Sequence, residues 1–213
     1  MAEKHVLIVP VGDGIKSLGP ALKALPVRKV HLLVSDQNAT LAEKTKKELE
    51  AKGISTHVWR IHGDLWEETF RIIAEITSAE RDVIVHVGTS DRAAQCAATS
   101  AAFVNGVKAI NGDEHGIMML PVLKFNYYTH LTEKKMQLLK SLEEKQYKSL
   151  DELAKKLKMS LPLLSYHIHG NYKTEGLVQM NLVELGARGS TQAIALTPMA
   201  RLLLKGYVKQ EKA

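Results

Sequence analysis

Hydrophobic and polar positions follow two different rhythms along the chain. In the first part, short and nearly continuous apolar runs alternate with longer stretches of helical period. His5 to Val11, Lys29 to Val34, Thr56 to Ile61 and Asp82 to Val87 have the length and β-branched content of strands. The segments between and after them, 15–25, 38–52, 64–80 and 90–104, repeat apolar residues at helical spacing. Strands alternating with helices predict an α/β fold, a Rossmann-like, mostly parallel sheet covered on both faces. Runs such as Val6-Leu-Ile-Val9 and Val83-Ile-Val85 suit strands buried on both sides. Val107 to Ile110 and Ile117 to Leu123 then face each other across Asn111-Gly-Asp-Glu-His-Gly116, with Asn111-Gly112 as the turn signal of a terminal β-hairpin.

The second part has a helical rhythm first and a strand rhythm later. Thr132 can cap a linking helix that runs to Glu144 with Met136, Leu139 and Leu142 on one stripe. Ser149, with Glu152 three residues on, has capping-box spacing and opens a helix to Lys158. Ser160 opens another, expected to continue to Gly176-Leu-Val178. On it Leu161, Leu164, Ile168 and Tyr172 share an inward face, while Leu163, Tyr166, His167, Gly170 and Thr174 share the opposite one. Two strand-like runs, Met180 to Leu185 and Gln192 to Leu196, flank a Gly-Ala-Arg-Gly-Ser turn around Arg188, and a helix from Pro198 to Lys205 follows. Helix, helix and a two-stranded ribbon with arginine at its tip is the order of an α+β winged helix-turn-helix domain. The expected organisation is a Rossmann-like domain over 1–126, a linking helix over 127–147 and a winged helix over 148–213.

Charge separates the same two parts. Residues 1–129 hold 15 Lys/Arg and 15 Asp/Glu, whereas residues 130–213 hold 14 and 8, so the whole net charge of +6 lies in the second part. A basic module beside a neutral one is the electrostatic footprint of a nucleic-acid binder joined to something else. Bulk composition, 45% hydrophobic and 24% charged, is that of an ordinary globular chain. The single cysteine, Cys96, excludes a disulfide framework; its small-residue surroundings predict a buried, inert thiol in a reducing cytoplasm. No apolar stretch approaches membrane-spanning length, and the N-terminus runs straight into a strand, so neither a membrane nor a signal peptide is expected.

Candidate chemistry lies where ligands sit in such sheets, beyond the carboxyl ends of the strands. Gly12-Asp13-Gly14 follows the first strand, but it is no dinucleotide fingerprint, so no cofactor is expected. Gly88-Thr89-Ser90-Asp91-Arg92 follows the fourth strand and opens a helix. Backbone N–H groups there favour anions, the two hydroxyls are donors, and Arg92 can pair with a phosphate. The alternative is that Ser90 caps the helix and Arg92 meets Asp91 or solvent. In the second part, Ser165, Tyr166, His167, Gly170, Lys173, Thr174 and Arg188 are the candidate contacts to double-stranded DNA, with Gly170 admitting close backbone approach. His167 and His169 point about 200° apart on a helix, and the other histidines lack ligand spacing, so no metal site is expected.

The layout resembles the standalone archaeal regulators with a CRISPR-associated Rossmann fold (CARF) domain. The resemblance is carried by Pro10-Val-Gly-Asp-Gly14, by His86-Val-Gly-Thr-Ser-Asp-Arg92, and by Ile168 followed by Gly176-Leu-Val178, in that order along nearly the whole chain. It implies a homodimer whose paired Rossmann domains form a two-fold pocket for a nucleotide-like effector. That effector would be a cyclic oligoadenylate, with tetra-adenylate matching the symmetry. Gly12, Asp13, Gly88, Thr89, Ser90 and Arg92 would line the pocket, and the hairpin loop Asp113 to His115 would emerge on the same side. The implied function is a ligand-responsive transcription regulator. Two other readings stay open: slow cleavage of the cyclic nucleotide by a ring-nuclease-like enzyme, and a winged helix used for protein contacts beside a degenerate dimerisation domain.

Overall fold

The computed structural model describes residues 4–12, 15–113, 116–120, 131–142, 147–188 and 191–206. The chain divides into two compact units, one of residues 1–127 with 205–213 and one of residues 128–204.

The first unit is a mostly parallel six-stranded sheet. Its strands are β1 (His5–Pro10), β2 (Val27–Val34), β3 (Ser55–Arg60), β4 (Val83–His86), β5 (Lys108–Asp113) and β6 (Gly116–Leu120), in the order β3-β2-β1-β4-β5-β6. The first five run parallel, and β6 returns antiparallel to β5. Crossovers are α1 (Leu18–Ala24), α2 (Ala39–Glu50), α3 (Leu65–Ala79) and α4 (Arg92–Val104). Side chains alternate across the pleat, so Leu7, Val9, Leu32 and Val34 pack with Leu18 and Ala21 of α1 and with Ala42 and Leu49 of α2. On α4, Ala94, Ala97, Ala98, Ala101 and Ala102 are all buried; a stripe of methyl groups at helical spacing lets that helix lie close to its neighbours. Asp64 fixes the start of α3, its carboxylate accepting from Trp66 N and Glu67 N.

Two sequence expectations are corrected in this unit. Asn111 and Gly112 are not the hairpin turn. They continue β5, opposite Met118 and Ile117, and residues 114–115 lie outside the described residues. Inward packing of β5 outweighs the local turn preference, because Ile110 is fully buried and Gly112 lies under the β1–α1 connection. Cys96 is exposed, not buried, because it falls between the buried alanines of α4 on the outward face.

In the second unit, α5 (Glu133–Ser141) leads to a short strand β7 (Lys148–Ser149), then α6 (Leu150–Leu157), α7 (Leu161–His169), β8 (Val183–Arg188), β9 (Thr191–Leu196) and α8 (Pro198–Lys205). The sheet order is β7-β9-β8, antiparallel throughout. Thr132 caps α5, with Met136, Leu139 and Leu142 buried as the stripe requires. Ser149 and Glu152 form a complete capping box at α6. Ser160 caps α7, its hydroxyl accepting from Leu163 N. This succession of helix, short strand, two helices and a hairpin is that of a winged helix-turn-helix.

The second of those two helices is shorter than its period suggests. α7 stops at Gly170, whose φ of +73° is left-handed, and does not reach Gly176-Leu-Val178. Asn171 Oδ1 accepts from Lys173 N and Thr174 N at 2.9 and 2.8 Å, building a tight turn. The chain then doubles back, with Leu177 N donating to His167 O and Val178 N to Ile168 O. Tyr172 therefore projects into solvent instead of joining the core, and Leu161 is 46% exposed, while Leu164 and Ile168 do pack inward. The first ribbon strand likewise begins at Val183: Met180 belongs to the turn before it.

Candidate functional site

In the first unit the strand order reverses between β1 and β4, and the loops beyond these two strands meet directly. A Cβ on Gly12 would lie 2.5 Å from Ser90 Oγ and 2.9 Å from Ser90 Cα, so the two loops are in van der Waals contact through that glycine. Thr89 is fully buried and its hydroxyl donates to Pro10 O at 2.5 Å. Ser90 Oγ donates to Val11 O at 3.5 Å, and Asn38 Nδ2 reaches the same carbonyl at 3.1 Å. Gly88 has no room for a side chain against Asn111 Oδ1, and its carbonyl accepts from Ser17 Oγ at 2.9 Å.

These bonds change the roles expected for the loop. The hydroxyls of Thr89 and Ser90 are buried and join the ends of β1 and β4. Ser90 is not the helix cap either: Asp91 is, its carboxylate accepting from Ala94 N at 3.0 Å. That carboxylate offsets much of the anion preference of the α4 N-terminus. What remains outward at this edge is the exposed Arg92 and the backbone of the glycine loops. Arg92 is exposed and makes no ion pair with Asp91 or another carboxylate among the described residues. Asp13, Gly14 and His115 lie outside the described residues.

Beneath the loop, His86 ends β4 with no exposure. Its Nε2 lies 3.2 Å from Ser17 O, and Nδ1 has no hydrogen-bond partner among the described residues. Burial pushes its pKa below the ordinary histidine value, so at neutral pH it is an uncharged ring donating to Ser17 O. The contact positions the β1–α1 connection against β4. Sequence reasoning missed Ser17 and Asn38; short polar side chains just after strand ends were the only signal. Among the described residues no cluster of three or more His, Cys, Asp or Glu could hold a metal.

In the second unit the candidate contacts divide. Ser165 and Tyr166 are exposed on α7; Lys173 and Thr174 are exposed in the turn after it. Tyr166 Oη and Thr174 Oγ1 share a hydrogen bond of 2.8 Å, and Lys173 Nζ lies 5.3 Å from the Tyr172 ring centroid. His167 is corrected: it is buried, and neither ring nitrogen has a hydrogen-bond partner among the described residues. Burial first, then Lys135 and Lys134, hold its pKa below the usual value. It is a core ring and not a DNA contact, because α7 turns it inward beside Leu164 and Ile168. Gly170 is corrected as well. Its missing side chain makes room for Thr174 O, Gly176 N and Gln179 Oε1, so the close approach it permits is to its own chain. Arg188 is the last residue of β8, and 189–190 lie outside the described residues.

A groove of about 430 Å³ opens between the starts of α6 and α7 and the start of β9, lined by Leu150, Asp151, Leu161, Pro162, Ser165 and Thr191 among others. Lys155, Lys156 and Lys158 are exposed on α6 and just after it. No helix among the described residues is long and apolar enough to cross a membrane.

No protein-family model matches the chain, and no curated protein does. Solved structures do. Can2 from Sulfobacillus thermosulfidooxidans, in complex with cyclic tetra-adenylate, is 14% identical with a TM-score of 0.49, over 95% of this chain and 64% of that one. A type III CRISPR defence DNA nuclease activated by cyclic oligoadenylate is 13% identical with a TM-score of 0.46, over 76% of this chain and 29% of that one. Protein VC1899 from Vibrio cholerae is 14% identical with a TM-score of 0.45, over 94% and 64%. The chain thus spans less than two thirds of each of these proteins. Likeness at this level leaves function to the chain's own residues.

Proposed function

We propose that the protein is a ligand-responsive, DNA-binding transcription regulator. Its Rossmann-like unit senses a nucleotide-like effector, and its second unit grips double-stranded DNA. The observation that carries this reading is the pairing, in residues 128–204, of a winged helix-turn-helix arrangement with a basic balance of 11 Lys/Arg against 7 Asp/Glu. Ser165, Tyr166, Lys173, Thr174 and the wing residue Arg188 make the contacts.

The resemblance to CARF regulators supplies the effector class: a cyclic oligoadenylate, tetra-adenylate by symmetry, held between two copies in a cytoplasmic homodimer. Arg92, with Asp13, Gly14 and His115 and the backbone of Gly12 and Gly88, forms this chain's part of the pocket. Effector binding changes how the two sensing units meet and so shifts the spacing of the two winged helices against their half-sites. A regulator needs no turnover, and the hydroxyls of Thr89 and Ser90 are already engaged with the carbonyls of Pro10 and Val11.

Two titrations test the reading. Fluorescence anisotropy of a labelled duplex against rising salt should give a steep linear loss of log affinity, and Arg188→Ala should reduce that slope by about 1. Calorimetry with cyclic tetra-adenylate should show one ligand per dimer. Salt-independent or absent duplex binding would overturn the regulator.

A further inference from the structure

The DNA-facing side of α7 has an unusual chemistry. Leu161 to His169 reads Leu-Pro-Leu-Leu-Ser-Tyr-His-Ile-His, with no arginine, lysine, asparagine, glutamine or carboxylate in the whole helix. Leu164, His167 and Ile168 are inside. The outward side is therefore Leu161, Pro162, Leu163, Ser165 and Tyr166, with the half-buried His169 at its C-terminal end; Leu161 is 46% and Leu163 38% exposed. The Tyr166 hydroxyl is already bonded to Thr174.

In the major groove, guanine is recognised through N7 and O6 by arginine or lysine. Adenine is recognised through N6 and N7 by asparagine or glutamine, and cytosine through N4 by a carboxylate. α7 has none of these. The one apolar feature on any base edge is the C5-methyl of thymine, and the apolar side chains of α7 are complementary to that feature alone.

Resting on the proposed DNA-binding function, we propose that α7 selects its sites by apolar contact with thymine methyl groups at its N-terminal turn, Leu161 from one edge of the outward side and Leu163 from the other, Ser165 supplying one hydrogen bond. The half-site is accordingly built of A·T pairs whose thymines face the helix. An exposed leucine pair would also suit a protein partner. The surroundings favour DNA: Lys155, Lys156, Lys158 and Lys173 are all exposed on this unit. Lysine is depleted from the cores of protein–protein interfaces, whereas phosphates on either side of a groove require it.

The test uses the full chain and four duplexes of equal length: alternating A and T, alternating A and U, alternating G and 5-methylcytosine, and alternating G and C. Uracil keeps every hydrogen bond of thymine and lacks only the methyl; 5-methylcytosine restores a methyl at the same place in the groove. Replacing thymine by uracil should weaken binding about fourfold for each contacted methyl, with the salt slope unchanged. The methylated G–C duplex should bind more tightly than its unmethylated form. Leu161→Ala and Leu163→Ala, both at exposed positions that leave the core intact, should shrink the A–T over A–U preference.

Equal affinity for the A–T and A–U duplexes, with salt-dependent binding of both, would overturn thymine reading and leave the regulator standing. A preference that survives both leucine substitutions would remove α7 as its source. Absence of salt-dependent binding to any duplex would overturn the regulator itself, and thymine reading with it.

Discussion

Gly170 offers the sharpest separation between a functional and an architectural cause. Its φ of +73° with ψ of −164° lies in a region essentially confined to glycine, and a non-glycine residue there costs about 1–3 kcal/mol from backbone strain alone. The added methyl of Gly170→Ala would also stand 2.8 Å from Gln179 Oε1, and closer still to Thr174 O and Gly176 N. Two of those three neighbours are backbone and cannot swing aside. Taking about 3 kcal/mol for strain and overlap together, the unfolding midpoint of a unit of this size should fall by about 12–24 °C. Calorimetry of the full chain measures it. Both tryptophans, Trp59 and Trp66, belong to the first unit, so their fluorescence serves as an internal control that should not move. If Gly170→Ala kept its midpoint and lost only DNA affinity, the glycine would exist for DNA approach and the chain-crossing account would be wrong.

Three further outcomes are expected. Arg92→Ala should abolish binding of cyclic tetra-adenylate by calorimetry while leaving duplex affinity of the unliganded protein unchanged; intact effector binding would remove Arg92 from the pocket. Asp151→Asn takes a negative charge from the groove between α6 and α7, and should tighten binding of all duplexes about two- to fivefold at low salt. No change would mean that this groove does not face DNA. Stability should depend on pH through His31, whose pKa is lowered to about 4 by burial and then by Lys29, against the opposing pull of Glu80. The unfolded chain takes up a proton near pH 6.5 that the folded chain refuses until about 4, so stability is complete above 6.5 and is lost on acidification through that window. Urea unfolding should show a loss of about 2 kcal/mol between pH 6.5 and 5, with His86 and His167 adding in the same direction. A flat response would refute the burial argument for all three rings.

Much of the architecture was readable without coordinates, and for an identifiable reason. Strands buried on both faces must be apolar at nearly every position, and the inner residues of β1 and β4 are; helices that cover them must repeat their apolar residues near every third or fourth position. Caps are equally local. Thr132, Ser149 with Glu152, and Ser160 satisfy amides two or three residues away, so their roles follow from spacing alone. The misread residues share a different property: their environment comes from segments distant in sequence. Asn111-Gly112 has the composition of a turn, yet it is drawn into β5 by pairing with β6 and by contact with His86 and Ser17. The hydroxyls of Thr89 and Ser90 look like donors for a phosphate until β1, some 79 positions away, supplies the carbonyls they serve.

The chain by itself determined the two units, their fold classes, their unequal charge, one neutral and one basic, and the order of their elements, because period, capping and net charge are properties of neighbouring residues. The tertiary structure decided which polar groups are left for function. It folded His167 into the core, spent the loop hydroxyls on holding β1 to β4, assigned Gly170 to a chain crossing, and turned Leu161 and Leu163 outward on a helix with no charged side chain. A side chain is available to a ligand only when no part of its own protein has already satisfied it, and that is settled by contacts between residues far apart in sequence.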